Sequence, residues 1–326
     1  MKLLALYWSF MIIGYIIADR GRRKGRSFSW VQPALMICIY ILCLIMGLRM
    51  GVNEQVTSNL GIIGLKSLVV TIFAVVGSIG AITITRKILG MDRYGNTKKH
   101  LEAAGGAQTE EEGHQLELKS TIIILAVVAA GMIIGSFILA GPLNMYLVPF
   151  DSASYIALVV LITILLFFVG FDLGASGTVF GYLKEAGIKV IVFPVVAVIG
   201  TIVLGTLSCM LMGFSIKEGT AISIGFGWYT YAPVVIAGAG QQYMIASAVS
   251  FMHNVIRETA GIILIPVVAK KIGYLETTGF PGVAAMDVCM PIVERSCRPD
   301  TVIYSFATGL LMCLVTSAGV PLVMGL

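Results

Sequence analysis

"GTAISIGFGWYTYAPVVIAGAG", residues 219–240, is apolar enough for a bilayer yet too interrupted to cross one as a plain helix. Gly225, Gly227 and Pro233 break it, and irregular backbone is tolerated at membrane depth only where protein or a water-filled cavity surrounds it. Its neighbours define the setting. With 58% hydrophobic and only 12% charged residues, the chain departs from the ~25% charged composition of soluble domains. This composition describes an all-α polytopic membrane protein. Apolar runs at 3–18, 31–51, 67–89, 121–141, 154–173, 188–213, 249–270 and 302–325 give eight expected transmembrane helices, each near the roughly 20 residues that a span requires. A second broken stretch, "GFPGVAAMDVCMPIVE", occupies 279–294. The first run follows Lys2 but lacks a small-residue cleavage site, so it reads as a retained helix rather than a signal peptide.

Lysine and arginine in short loops set orientation. Placing "DRGRRKGR" (19–26) in the cytoplasm puts the N-terminus outside and sends the 91–119 loop, Lys184, Lys189, Lys270 and Lys271 inward. The scheme holds only if 219–240 enters and leaves on one side as a re-entrant hairpin. A full crossing would carry Lys270 and Lys271 outside. The 91–119 loop, with Glu110, Glu111 and Glu112, reads as a solvated cytoplasmic linker.

A repeat underlies the spans. "MGLRMG" (46–51) matches "VGFDLG" (169–174), and "IIGLKSLVVTIFAVVG" (62–77) matches "EAGIKVIVFPVVAVIG" (185–200). Gly47, Gly51, Gly64, Lys66 and Gly77 each find the same residue type 123 positions later. Three helices precede the hydrophilic loop and three follow it, and an odd number per copy inverts the second. The expected organisation is a first repeat at 1–90, a linker at 91–120, an inverted second repeat at 121–213 and broken segments with closing helices at 214–326. Inverted repeats with broken helices at midplane mark secondary transporters.

Several function classes are disfavoured. The six cysteines are scattered through apolar runs without metal-ligand spacing, and two of the three histidines lie in the linker, so no metal and no cofactor is expected. The net charge of +5 forms no basic stripe interleaved with aromatics, and no nucleic-acid partner is expected.

The polar residues within apolar sequence are the candidate site. Arg257 and Glu258 sit side by side in "SFMHNVIRETAGIILIPVVAKK" (250–271). Helix neighbours point about 100° apart, so each charge needs its own partner. Glu258 shares a face with Asn254, and Arg257 with His253. Glu54 in "GVNEQVTSNLG", Asp172 at the end of the fifth helix and Asp287 in the second broken stretch complete the set. Each has a structural reading: a loop-end carboxylate for Glu54, a cap or a pair with Lys184 for Asp172, a turn for Asp287. Arg257 could pin Asp172 or Asp287, with Glu258 satisfied by the backbone of "GFGW". The functional reading places Glu258 on a hydrated cavity, meeting a cation or a proton. Gly225 and Gly227 permit close backbone approach, and Trp228 and Tyr229 offer faces that attract ammonium groups, although such aromatics also mark ordinary membrane interfaces.

The motifs "GFGWYTYAP", "NVIRETAGIILIP", "AAMDVCMPIVER" and "MGLRMG" followed by an acidic residue before "SNLG" resemble those of the LysO family of bacterial lysine exporters. The resemblance implies export of L-lysine and its analogue thialysine across the inner membrane, with two membrane-embedded acidic residues, by position Glu54 and Glu258. Glu54 stands where the family pattern leads one to expect Asp. Lysine carries two ammonium groups and one carboxylate, and the inventory of carboxylates plus Arg257 matches it. Moving a net cation outward against an inside-negative potential costs about 2.3 kcal/mol per 100 mV, so a driving ion must enter, a proton or else sodium. Rivals are a sodium-coupled carrier of organic anions, a membrane-embedded enzyme using Glu258 or Asp287, and a channel. Assembly into an oligomer is compatible with the sequence.

Overall fold

The computed structural model of the chain describes residues 2–25, 28, 30–95, 123–124, 126–143, 146–176, 187–298 and 300–326. The hydrophilic loop from 96 onward and Lys184 lie outside the described residues, as does the side chain of Lys189. The long helices are α1 (Lys2–Arg23), α2 (Val31–Val52), α4 (Leu60–Ile88), α5 (Ala126–Leu139), α6 (Leu147–Ser176), α7 (Gly187–Leu211), α10 (Met244–Lys271) and α13 (Thr301–Met324). Short helices fill the rest: α3 (Glu54–Thr57), α8 (Ile216–Ser223), α9 (Ala232–Gly238), α11 (Tyr274–Gly279) and α12 (Met290–Ser296). Six of the described helices are long and apolar enough to cross a membrane. The apolar runs therefore become helices as expected, with α1 and the shorter α5 alongside the six.

Both broken stretches are helical hairpins. The first, α8 and α9, starts with a capping box, in which Ser215 Oγ accepts from Glu218 N at 3.2 Å and the Glu218 carboxylate accepts from Ser215 N at 2.9 Å. Its two ends meet where Lys217 Nζ donates to Tyr243 Oη at 3.1 Å. The segment thus returns to the end from which it entered. The second hairpin, α11 and α12, closes in the same way, with Thr277 Oγ1 3.5 Å from Cys297 Sγ. It begins at Tyr274 rather than 279 because "YLETTG" is not apolar; Glu276 is fully buried there and paired with Arg86 at 2.7 Å. The hairpins enter from opposite ends of the bundle. Gln241, past the first, donates to Asp151 at the start of α6, whereas Tyr274 N, opening the second, donates to Arg93 O beyond the end of α4.

The tips touch backbone to backbone. Val283 N donates to Phe226 O at 2.8 Å. Gly282 has φ 76°, and a Cβ there would collide with the same carbonyl. Phe226 itself takes φ 44°, a region that non-glycine residues seldom enter.

Helix pairing follows a reciprocal rule. In the α1–α6 contact, Gly14 lies on Phe167 O, Gly170 on Met11 O and Gly174 on Tyr15 O. In the α2–α5 contact, Gly131 lies on Leu44 O, Gly47 on Val128 O and Gly51 on Met132 O. The second set is the first with α1 numbers raised by 117 and α6 numbers lowered by 123. Between α4 and α7, Gly77 and Gly200, themselves 123 apart, face each other so closely that neither has room for a Cβ. These two helices are antiparallel, since Lys66 Nζ reaches Met212 O at 2.9 Å while Ala81 faces Gly200. On α2 and α6, Cys38 Sγ donates to Leu161 O at 3.4 Å, again 123 apart.

Two bodies result. Helices α1, α2, α5 and α6 pack on one another, while α4, α7, α10, α13 and both hairpins form a second body that touches the first along a narrower seam. Most described basic residues sit at the end where the second hairpin enters, including Arg23, Arg86, Lys87, Arg93, Lys270, Lys271 and Arg298. At the other end Arg49 is buried against Asp151 at 3.0 Å, with Lys66 and Lys217 nearby.

Candidate transport site

A cavity of about 180 Å³ opens in the seam between the two bodies. Its walls have unlike chemistry. The four-helix body contributes aliphatic Leu35, Ile39, Leu165 and Val169, whereas the hairpin body adds the polar and aromatic Trp228, Tyr229, Thr230, Glu258 and Asp287 to its own apolar Val283, Ala284 and Val288. Both hairpin tips and the middle of α10 therefore converge on one space.

Glu258 is 9% exposed and turns its carboxylate to this cavity, where Oε1 accepts from Tyr229 Oη at 3.3 Å. Tyr229 is steadied edge-on by Phe251, with centroids 6.1 Å apart. Trp228 stacks on Tyr231 at 4.7 Å, and the Tyr231 hydroxyl is tied to Ser317 O at 2.9 Å. Asp287 lies exposed to the cavity and caps its own turn, accepting from Val288 N at 2.6 Å. Asp172, exposed near the end of α6, is within electrostatic range of Asp287. A small space thus carries carboxylates and aromatic faces on one side and hydrocarbon on the other, the surroundings that suit an organic cation with an aliphatic stem.

Asn254 and Arg257 stand behind this wall, both 0% exposed. Asn254 Oδ1 accepts from Gly227 N at 2.7 Å, its Nδ2 donates to Ser250 Oγ at 3.2 Å, and Gly225 leaves the room that its amide occupies. Arg257 meets neither Asp172 nor Asp287. Its Nε donates to Phe280 O and its Nη2 to Gly279 O, both at 2.9 Å, and Nη2 lies 3.4 Å from Thr201 Oγ1. Glu54 is elsewhere: it opens α3 on the far side of the seam, exposed, where Asn53 caps the turn by accepting from Val56 N at 3.1 Å. The structure brings together Trp228, Tyr229, Glu258 and Asp287, with Asp172 nearby, and leaves Glu54 apart.

Some participants have no signature in the sequence. The aliphatic wall looks like any lipid-facing helix, and Thr316, which donates to Ile224 O at 2.8 Å beneath the first tip, is one helix threonine among many. Arg86 and Glu276 were hidden differently, since charges near helix ends usually mean solvent.

Two helical hairpins meeting beside a charged cavity within a polytopic membrane protein define a membrane transport protein rather than an enzyme. The family model described as lysine exporter LysO matches residues 118–324, more than half of the chain, and the chain belongs to that family. It is 22% identical over 308 residues to "Lysine exporter LysO" of Escherichia coli (strain K12), covering 94% of this chain and 93% of that protein. It is also 29% identical over 161 residues to a Haemophilus influenzae protein named "Putative lysine exporter", covering 47% of this chain and 78% of that one. No solved structure matches the chain significantly.

Proposed function

We propose that the chain exports L-lysine, and its analogue thialysine, from the cytoplasm in exchange for protons, with Glu258 as the carboxylate that alternately holds an amino group and a proton. The observation that carries this reading is the position of Glu258, in the middle of a membrane-length helix and on the cavity between the two bodies. An ionisable side chain at that depth is costly unless it meets water, a partner or a task. In the proposed cycle the ammonium groups of lysine lie against Glu258 and the Trp228–Tyr229 faces and towards Asp287 and Asp172, while its methylene stem lies on Leu35, Ile39, Leu165 and Val169. Protonation of Glu258 releases the cation, and deprotonation towards the cytoplasm restores the site.

The reciprocal packing supports a further element of the same reading: the triads α1, α2, α4 and α5, α6, α7 are an inverted repeat. Equivalent helices α4 and α7 cross antiparallel at equivalent glycines, as a two-fold axis in the membrane plane requires. The excess of basic residues at the end where the second hairpin enters favours that end as cytoplasmic and the N-terminus as external, in the bacterial inner membrane. The cavity, bounded by the early part of α2 and the later part of α6, then faces inward, and Glu54 lies at the external mouth, where it is suited to receive the departing cation.

Counter-transport of labelled lysine in proteoliposomes tests the assignment. Glu258→Gln removes the charge and keeps the shape, and it is expected to abolish exchange. Full exchange by that variant would exclude Glu258 from the mechanism.

A further inference from the structure

Arg257 is the largest wholly buried side chain among the described residues. It has no carboxylate within ion-pair distance among the described residues. Its partners are the carbonyls of Gly279 and Phe280, at the point where α11 ends and the second hairpin unwinds. The Phe226 ring lies 6.0 Å away on the opposite tip, and Nη1 has no hydrogen-bond partner among the described residues. A full positive charge at this depth is expensive, and neutral partners repay less of that cost than a carboxylate would. Packing alone would be served as well by an uncharged side chain.

The end of a half-helix at membrane depth collects carbonyl oxygens that no helix turn satisfies, and they carry the negative end of its dipole. Transporters with discontinuous helices place a small coupling cation on such carbonyls. Here a guanidinium occupies them, its planar fork matching two adjacent oxygens, and Ser78 Oγ adds a bond to one of the two, Gly279 O, at 2.8 Å without bringing a charge. We infer that Arg257 is a resident cation standing where a sodium ion would otherwise bind, so that lysine exchange in this protein proceeds without sodium. The first hairpin provides the control within the same molecule. Its break is held by neutral groups, Asn254 on Gly227 N and Thr316 on Ile224 O, and no cation is needed there. Arg257 is thus a positioning residue: it keeps the second tip, and with it Met286 and Asp287, against the cavity without touching the substrate.

The inference rests on the proposed exchange at Glu258, and the two can fail separately. Purified protein in proteoliposomes is assayed for lysine exchange under an imposed pH gradient, with sodium replaced by N-methylglucamine on both sides. Unchanged exchange is expected, and a collapse of the rate on sodium removal overturns the inference whatever the variants do. Arg257→Gln, lacking the charge, is expected to lose most of its exchange rate. Added guanidinium or sodium should restore part of that loss, and Arg257→Lys should transport without either. Sodium-free transport by Arg257→Gln at the normal rate overturns the inference, as does a folded Arg257→Gln that neither cation restores. Should that variant not fold, the sodium replacement on the unaltered protein decides. Loss of the Glu258 assignment alone would show as retained exchange in Glu258→Gln, with sodium still without effect.

Discussion

The two hairpins share one geometry and differ in what secures their tips. The first is held by an amide and a hydroxyl, the second by a guanidinium together with the Ser78 and Ser305 hydroxyls. Both principal anchors, Asn254 and Arg257, come from α10, and Glu258 follows immediately. One helix therefore fixes both hairpin tips relative to the carboxylate between them. Adjacent positions in a helix face different ways, which is how a residue buried completely can neighbour one that faces the cavity. The difference between the hairpins teaches that the charge pair in the sequence is not a pair in space: Arg257 is bonded to the second hairpin's backbone and Glu258 faces the cavity.

Backbone contact at the tips is where the comparison breaks most easily. Gly282→Ala would set a methyl group on the Phe226 carbonyl at a φ of 76°. Strain and overpacking together should cost about 2–6 kcal/mol, enough to leave little folded protein. Gly225→Ala meets the Asn254 amide, a side chain that can shift, and should cost about 1–3 kcal/mol. Thermal unfolding in detergent separates the two. Equal stability of both variants would mean that the tips do not press on each other.

The cavity walls offer a second comparison. If the triads are inverted copies, opening to the other side should exchange their roles, so that Leu158, Ile162, Leu42 and Met46 replace Leu35, Ile39, Leu165 and Val169. All four are now at most 2% exposed. In a background with the six buried cysteines changed to serine, Ile162→Cys should react with an impermeant maleimide added from outside only while lysine is being exchanged. Ile39→Cys should react from inside and lose reactivity under the same conditions. Reactivity of Ile162→Cys that ignores lysine would remove the exchange of walls.

Much of this architecture was legible because breaks in hydrophobic sequence are conspicuous. Gly225, Gly227 and Pro233 announced the first hairpin, and the consistency of lysine placement required it to turn back. Several of the matches at one offset fell on glycines that seat α2 on α5, α6 on α1 and α4 on α7. The corresponding glycine contacts of α1 and α5 escaped because their shift is 117 rather than 123, and because glycine spacing alone stands out little in such biased composition. The partners of Arg257 escaped for a different reason. Backbone carbonyls have no residue type, so a sequence can suggest that a buried cation needs an acceptor without naming it. Glu54 drew attention as an acidic residue beside an apolar run, and only the fold separates it from the cavity.

The finest contrast lies within the first hairpin. Asn254→Ala leaves the Gly227 N–H buried without its acceptor, a loss of about 1–3 kcal/mol, and it also frees the loop that carries Trp228 and Tyr229. Thr316→Val should cost less, about 0.5–1.5 kcal/mol. The Thr316 hydroxyl has one proton and two carbonyls in reach, Ile224 O at 2.8 Å and Met312 O at 2.7 Å, so its bond to the tip is shared. Met312 O already belongs to a helix, and a carbonyl tolerates partial satisfaction better than an N–H does. Asn254→Ala should therefore lower both melting temperature and lysine exchange, and Thr316→Val should lower the melting temperature slightly with exchange retained. A Thr316→Val variant as impaired as Asn254→Ala would place the decisive anchor of the first hairpin on α13 instead of α10, and α10 would no longer hold both tips in register with Glu258.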